Sequence, residues 1–332
     1  MARLQARIAA AATRVPKGAL RIIVVSAALA VLAGVAFRSR SLLPELARLH
    51  RPDARWLLLA VLAQAGSLTA YALIVRELLG LGDLAARVST LLRATLGGIA
   101  MTASLPGGQV ASTAYWYKQL RREGADRSLA ASAMAGSMVA GALSLLGLLV
   151  AGVVAAGGQG PLAPLRLPIL SGCAGLLVFA VLLRRPVTSA VGRLARRLSL
   201  GSAERSLLER RSLIAIGLLG LANWLLDCGC LYSALHAMHA GVPPRSILLT
   251  YTLAQLVASL PLLPGGGGTV EASLLLGFAA FPHTAGSVLA GVLLYRLICC
   301  WGLVPVGWLA VLLENHPLVR SRANATAAAR AA

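Results

Sequence analysis

Leu105-Pro106-Gly107-Gly108 and Leu263-Pro264-Gly265-Gly266-Gly267-Gly268 break an otherwise hydrophobic chain in the same way. Each closes an apolar run that began about 15–20 residues earlier, too short to cross a bilayer, turn and cross back. Helix-breaking Pro and Gly at membrane depth are tolerated only where the freed backbone is buried in protein or lines a polar cavity. A matched pair of such breaks points to a midplane transport site. The expectation is a membrane transporter rather than an inert helical bundle.

Composition agrees. The 332 residues are 58% hydrophobic and 13% charged, half the charge of an average soluble domain. The formal net charge is +20, but the basic residues lie between apolar runs, as in membrane-surface anchors. Aromatics make up 5% and do not interleave with basic residues, which argues against nucleic-acid binding. The cysteines, Cys173, Cys228, Cys230, Cys299 and Cys300, sit inside apolar runs without metal-site spacing; they read as small buried membrane residues, and no metal or cofactor is expected.

The periodicity predicts spans at Leu20–Phe37, Arg55–Val75, Arg87–Leu105, Ser128–Ala156, Leu167–Leu183, Leu213–Leu235, Arg245–Leu263 and Ala285–Leu313. An amphipathic piece, Gln109–Arg122, follows the first break, and a half-helix, Gly268–Phe281, follows the second. The first span reads as an uncleaved helix behind a basic tail, residues 1–19, and a second tail runs over 314–332. The loop Arg184–Ser212 holds eight Arg, while His236–Pro244 has no Lys or Arg. The positive-inside rule puts that loop, Lys118–Arg127 and both termini in the cytoplasm. Arg38–Arg55, with five Arg, falls outside against the rule; its leucine spacing suits a helix lying in the interface.

This topology requires each Pro-Gly break to be the tip of a re-entrant hairpin, entering from opposite sides. Pro264 stands 158 residues after Pro106. The same shift carries 55–75 onto 213–233, Arg87 onto Arg245, and Ser128–Ala156 onto Gly286–Glu314. The expected fold is all-α and polytopic, with about six full transmembrane helices and two re-entrant hairpins in inverted halves, 55–156 and 213–314, within one membrane domain, 20–313.

Backbone N–H groups at a hairpin tip start a half-helix without intrahelical partners, a ready anion site. Pro106, Gly107, Gly108, Pro264, Gly265, Gly266 and Gly268 are therefore candidate substrate contacts; close helix packing through small residues is the competing reading. Glu271 falls in the first turn of the second half-helix, where the dipole favours a carboxylate. An ionisable group at this depth needs a partner, and Arg296, eleven residues into the last span, is the candidate. Their pairing serves either a lipid phosphate or the architecture of the hairpin. Asn223 and Asp227 share one helix face, as do Tyr251 and Gln255. Asp227 acts as a proton site or as glue between helices. Lys118, Arg121 and Arg122, beside Tyr115, Trp116 and Tyr117, read as an interfacial belt against anionic lipid. No nucleophile elbow, phosphate loop or metal-binding His cluster is present, so no enzyme activity is expected.

Asn223-Trp224-Leu225-Leu226-Asp227, Ser259 through Gly266, Gly268, Glu271 and Leu294-Tyr295-Arg296 together resemble the flippase-like membrane domain of lysylphosphatidylglycerol synthases and its stand-alone relatives. Leu105 to Gly108 and Tyr117 to Gly124 are similar to the matching first-half region. The resemblance implies re-entrant helices and movement of lipids or lipid-linked intermediates between leaflets, or assistance to enzymes that make them. It adds Tyr295 to the candidate site. The aminoacyltransferase domain of the full-length synthases has no counterpart, so lipid aminoacylation is not expected. Many members carry a Glu-Arg pair where this chain has Gly136-Ser137-Met138, which leaves the charge chemistry to the second half.

The expected function is translocation of an anionic phospholipid or lipid-linked intermediate across a bacterial inner membrane. The alternative is a non-transporting accessory subunit of a lipid or cell-envelope polymer synthase. Partners would be membrane lipids and a lipid-modifying or envelope-synthesis enzyme.

Overall fold

The structure is a computed structural model that describes residues 52–105, 108–155, 202–258, 269–279 and 285–314. All regular structure among them is helical: α1 (Ala54–Gly80), α2 (Val88–Ser104), α3 (Gly108–Arg122), α4 (Arg127–Ala155), α5 (Ser202–Ala237), α6 (Pro244–Ala258), α7 (Thr269–Ala279), α8 (Ala285–Arg296) and α9 (Leu303–Glu314). Among the described residues, four segments are long and apolar enough to cross a membrane: Ala54–Gly80, Arg127–Val154, Arg211–Ala237 and Gly286–Leu313. The expected spans Leu20–Phe37 and Leu167–Leu183, the interfacial helix Arg38–Arg55 up to Arg51, and both tails apart from Glu314 lie outside the described residues.

One expectation needs correction and another gains detail. α5 is helical from Ser202 onward, so the last part of the predicted Arg-rich loop 184–212 is helix. Arg205, Arg210 and Arg211 ride on its first turns, with Glu204 and Glu209 among them. The predicted span Ala285–Leu313 is present as one membrane-length stretch, Gly286–Leu313, but it holds a π-helical turn, Leu297–Trp301, between α8 and α9, where Gly302 N donates to Leu297 O at 2.7 Å. Pro305 explains the position. Without an N–H it cannot donate to Trp301 O, and its ring crowds that carbonyl, so the α-register stops and restarts with Pro305 in a first turn.

The 158-residue repeat persists in the helices. Shifted, α1, α2, α3 and α4 fall on α5 from residue 212, on α6, on α7 and on the run from α8 to α9, within a few residues at each described end. The counterparts α1 and α5 pack on one another more extensively than any other pair, and they run antiparallel. Asp53 N donates to Ala237 O at 3.1 Å, at one end. Ser67 Oγ donates to Asn223 Oδ1 at 3.2 Å, further along. Gly66 abuts Leu226 between them. Packing elsewhere is reciprocal: α2 lies on α9, and α6 lies on α4. The first arm of each hairpin thus leans on the closing helix of the other half.

The α2–α9 seam is built from small residues, which let helix backbones approach in a bilayer. A Cβ on Gly307 would meet Leu96 O at 2.1 Å, and one on Gly97 would meet Val311 at 2.8 Å. Trp308 Nε1 closes the seam by donating to Ser104 Oγ at 3.0 Å. Gly307→Val should lower thermal stability in detergent by about 1–3 kcal/mol, the usual cost of overpacking; an unchanged melting temperature would place α9 elsewhere.

The first Pro-Gly break folds the chain back on itself. Leu105 N donates to Met101 O at 3.1 Å and Gly108 N to Leu105 O at 2.9 Å. A Cβ on Gly108 would lie 2.2 Å from Met101 O, so only glycine fits. Higher up the arms, Gly98 meets Ser112 and Trp116. In the second hairpin α6 packs on α7, with Thr250 filling the space over Gly277. Pro106, Gly107, Pro264, Gly265, Gly266 and Gly268 lie outside the described residues.

Outward faces are apolar. Leu58, Leu59 and Leu62 on α1 and Leu213, Ile214, Leu218 and Leu225 on α5 are exposed, which is the normal state of a lipid-facing helix and not of one in water.

Candidate functional site

α5 carries Asp227 four residues after Asn223 and presents both toward its neighbours. Three donors converge on one oxygen of Asp227. Tyr251 Oη donates to Oδ2 at 2.6 Å, Tyr295 Oη at 2.9 Å and Gln255 Nε2 at 3.1 Å. Gln255 Nε2 also donates to Tyr295 Oη at 3.2 Å. The donors come from α6 and α8, so a single carboxylate ties three helices. Tyr251 and Tyr295 are completely buried, which makes their hydroxyls costly to leave without partners. Tyr251→Phe takes one of three donors from the Asp227 carboxylate and should cost about 1.5 kcal/mol, read as a lower melting temperature.

One residue beyond Tyr295, Arg296 turns toward α7. Its Nε donates to Glu271 Oε1 at 2.8 Å, and the two side chains are only 8% and 13% exposed. The pair forms where α8 gives way to the π turn. π turns inside α-helices concentrate at functional sites, and this one directly follows Arg296 in sequence.

The charged residues predicted from sequence are thus brought together: Asp227 with Tyr251, Gln255 and Tyr295, and Glu271 with Arg296. Asn223 is one turn from Asp227 and accepts from Ser67 of α1. Gly108 belongs to the other hairpin, packed on Met101 and Thr102. Lys118, Arg121 and Arg122 are exposed at the end of α3. Arg121 Nη1 donates to Ala125 O at 2.6 Å and Arg122 Nη1 to Gln119 Oε1 at 3.2 Å, so two of the three guanidinium and ammonium heads also brace the helix end.

Sequence reasoning missed two anchors of this region. Ser67 is one of many serines in apolar runs, and nothing local singles it out. Trp224 Nε1 donates to Gly141 O on α4 at 2.8 Å, a bond that follows from the general need of an indole N–H in apolar surroundings for an acceptor.

The site has no charged twin. Shifted back by 158 residues, Glu271 and Arg296 fall on Thr113 and Met138, and Met138 is 71% exposed. The cysteines around the site, Cys228, Cys230, Cys299 and Cys300, are all free thiols, and Cys173 lies outside the described residues.

Comparison with known proteins agrees with this architecture. The family described as the lysylphosphatidylglycerol synthase TM region matches residues 19–307. A UPF0104 membrane protein of Methanothermobacter thermautotrophicus is 33% identical over 106 residues, covering 31% of this chain and 31% of that relative. The second match therefore spans less than a third of either protein. With four membrane-length apolar helices among its described residues and a family match over most of its length, this is a membrane-spanning protein that belongs to the lysylphosphatidylglycerol synthase transmembrane-region family.

Proposed function

We propose that the chain moves an anionic phospholipid or lipid-linked intermediate between the leaflets of a bacterial inner membrane, without chemical catalysis and without a cofactor. The observation that carries this reading is the buried Glu271–Arg296 pair beside the Asp227 cluster, inside an apolar bundle. Ionisable side chains at this depth cost about 2.5–3.5 kcal/mol each even on a lenient insertion scale. A bundle needing only stability would fill the space with apolar side chains, often at no loss.

Helix lengths support re-entrant hairpins. α2, described from end to end, has 17 residues, or about 26 Å, short of a hydrocarbon core of about 30 Å. Antiparallel counterparts α1 and α5 fit inverted halves, with one hairpin entering from each side and the termini in the cytoplasm. In this reading a lipid phosphate exchanges with Glu271 on Arg296 as the headgroup passes, one charge-assisted hydrogen bond replacing another. The exposed Lys118, Arg121 and Arg122 gather anionic lipid at the cytoplasmic face.

Reconstitution tests it. Liposomes containing the chain and a trace of fluorescent phosphatidylglycerol should expose the inner-leaflet probe to an external quencher faster than protein-free liposomes. Equal rates, together with co-purification of a lipid or envelope-polymer synthase, would favour an accessory subunit instead.

A further inference from the structure

Resting on the transport reading above, we propose that Asp227 is a proton-binding site that couples lipid movement to a transmembrane proton gradient. Among the described residues, the polar centre holds two carboxylates, Asp227 and Glu271, and one guanidinium, Arg296. With all three ionised it carries one net negative charge. Glu271 holds the Arg296 Nε directly at 2.8 Å, whereas the hydrogen bonds to Asp227 come from neutral groups, two phenols and an amide. One positive charge bound at Asp227 brings the centre to neutrality, which the low dielectric favours.

The geometry selects a proton over a metal ion. Sodium or calcium needs a shell of oxygen lone pairs. Here Gln255 turns its NH2 toward the carboxylate, and both tyrosines point O–H groups at it. Such a shell repels a bare cation; its three hydrogen bonds favour the ionised carboxylate, so a proton drawn in by the charge balance binds at their expense. The groups facing Asp227 are Tyr251 from α6, Tyr295 and Arg296 from α8, Cys299 from the π turn, and Cys228 and Cys230 on its own helix. Glu271 of α7 lies behind Arg296. From α1 the neighbouring polar side chains are Ser67 and Gln64, neither of which titrates. Gln64 is 6% exposed with Oε1 unsatisfied, and it sits level with Asp227 in the register set by Gly66 with Leu226.

Proton binding has a structural consequence. The donors to Asp227 lie on α6, an arm of the second hairpin, and on α8, which also carries Arg296. A neutral carboxylic acid is a weaker acceptor than a carboxylate, so protonation loosens both arms at once. Release on the other side of the membrane tightens them again. No covalent bond other than O–H is made or broken, and the gradient supplies the proton.

Two measurements on the full chain in lipid bilayers separate this inference from the transport reading. Infrared spectra recorded from alkaline to mildly acidic buffer should show the carbonyl band of a protonated buried carboxylic acid, absent in Asp227→Asn. In liposomes, an imposed pH gradient should accelerate phosphatidylglycerol flipping by wild type several-fold and should produce no acceleration in Asp227→Asn, whatever rate that variant has without the gradient. A missing Asp227-dependent band overturns the inference, and so does wild-type flipping indifferent to the gradient. Flipping absent from both proteins overturns the transport reading and the coupling, whatever the band shows.

Discussion

Arg296→Ala should be strongly destabilised, by about 3–5 kcal/mol, and should not flip lipid. The stability loss has a definite cause. Removing the guanidinium leaves Glu271 in a site where its side chain is 13% exposed, and a buried carboxylate without its cation costs that much. Because both side chains are so little exposed, solvent screening reduces the figure only slightly. The companion variant sharpens the test. Glu271→Gln with Arg296→Gln removes both charges, keeps a hydrogen bond between the side chains, and should recover most of the lost stability. Melting curves in detergent distinguish the cases: a single variant as stable as the double would mean the pair is solvated and the packing described above is wrong. The swapped pair, Glu271→Arg with Arg296→Glu, adds a functional reading. Restored flipping in the swap would show that the cation is needed at the site but not at that position.

Asp227→Leu should be comparably damaging, by about 3 kcal/mol. Three donors share its Oδ2, and each buried donor left without an acceptor costs about 1–3 kcal/mol. The total falls short of three full penalties because Gln255 Nε2 and Tyr295 Oη keep one another. Asp227→Asn retains an acceptor oxygen in the same place and should fold with a much smaller loss. Parallel melts of the two variants separate loss of shape from loss of charge. If leucine is tolerated as well as asparagine, the carboxylate does not tie α5 to α6 and α8.

Much of this organisation is legible in the chain before any coordinates. The 158-residue offset between Pro106 and Pro264 carries over to helix after helix, because each half repeats the same helix lengths. Glu271 and Arg296 announce themselves, since intramembrane charges are rare and must find one another. Asn223 with Asp227 and Tyr251 with Gln255 follow from four-residue spacing. What spacing cannot supply is the meeting point. Tyr251 and Tyr295 are 44 positions apart, and only the packing of α6 and α8 against α5 aims both hydroxyls at one oxygen. The leaning of α2 on α9 and of α6 on α4 is likewise a tertiary choice, decided by where glycines let backbones approach. The π turn had a local signal in Pro305, but hydrophobicity runs unbroken through Leu297–Trp301 and masks it. The helix over 202–212 is hidden for the opposite reason: its charged residues read as loop beside the apolar runs.

The most direct test of the central claim is the flipping rate of fluorescent phosphatidylglycerol in liposomes carrying the Glu271→Gln, Arg296→Gln double variant, compared with wild type. The double variant is chosen because it should remain folded. Wild type should flip well above protein-free vesicles, and the double variant should fall to their level. A folded double variant that flips as fast as wild type would contradict that claim, leaving the buried pair as architecture alone.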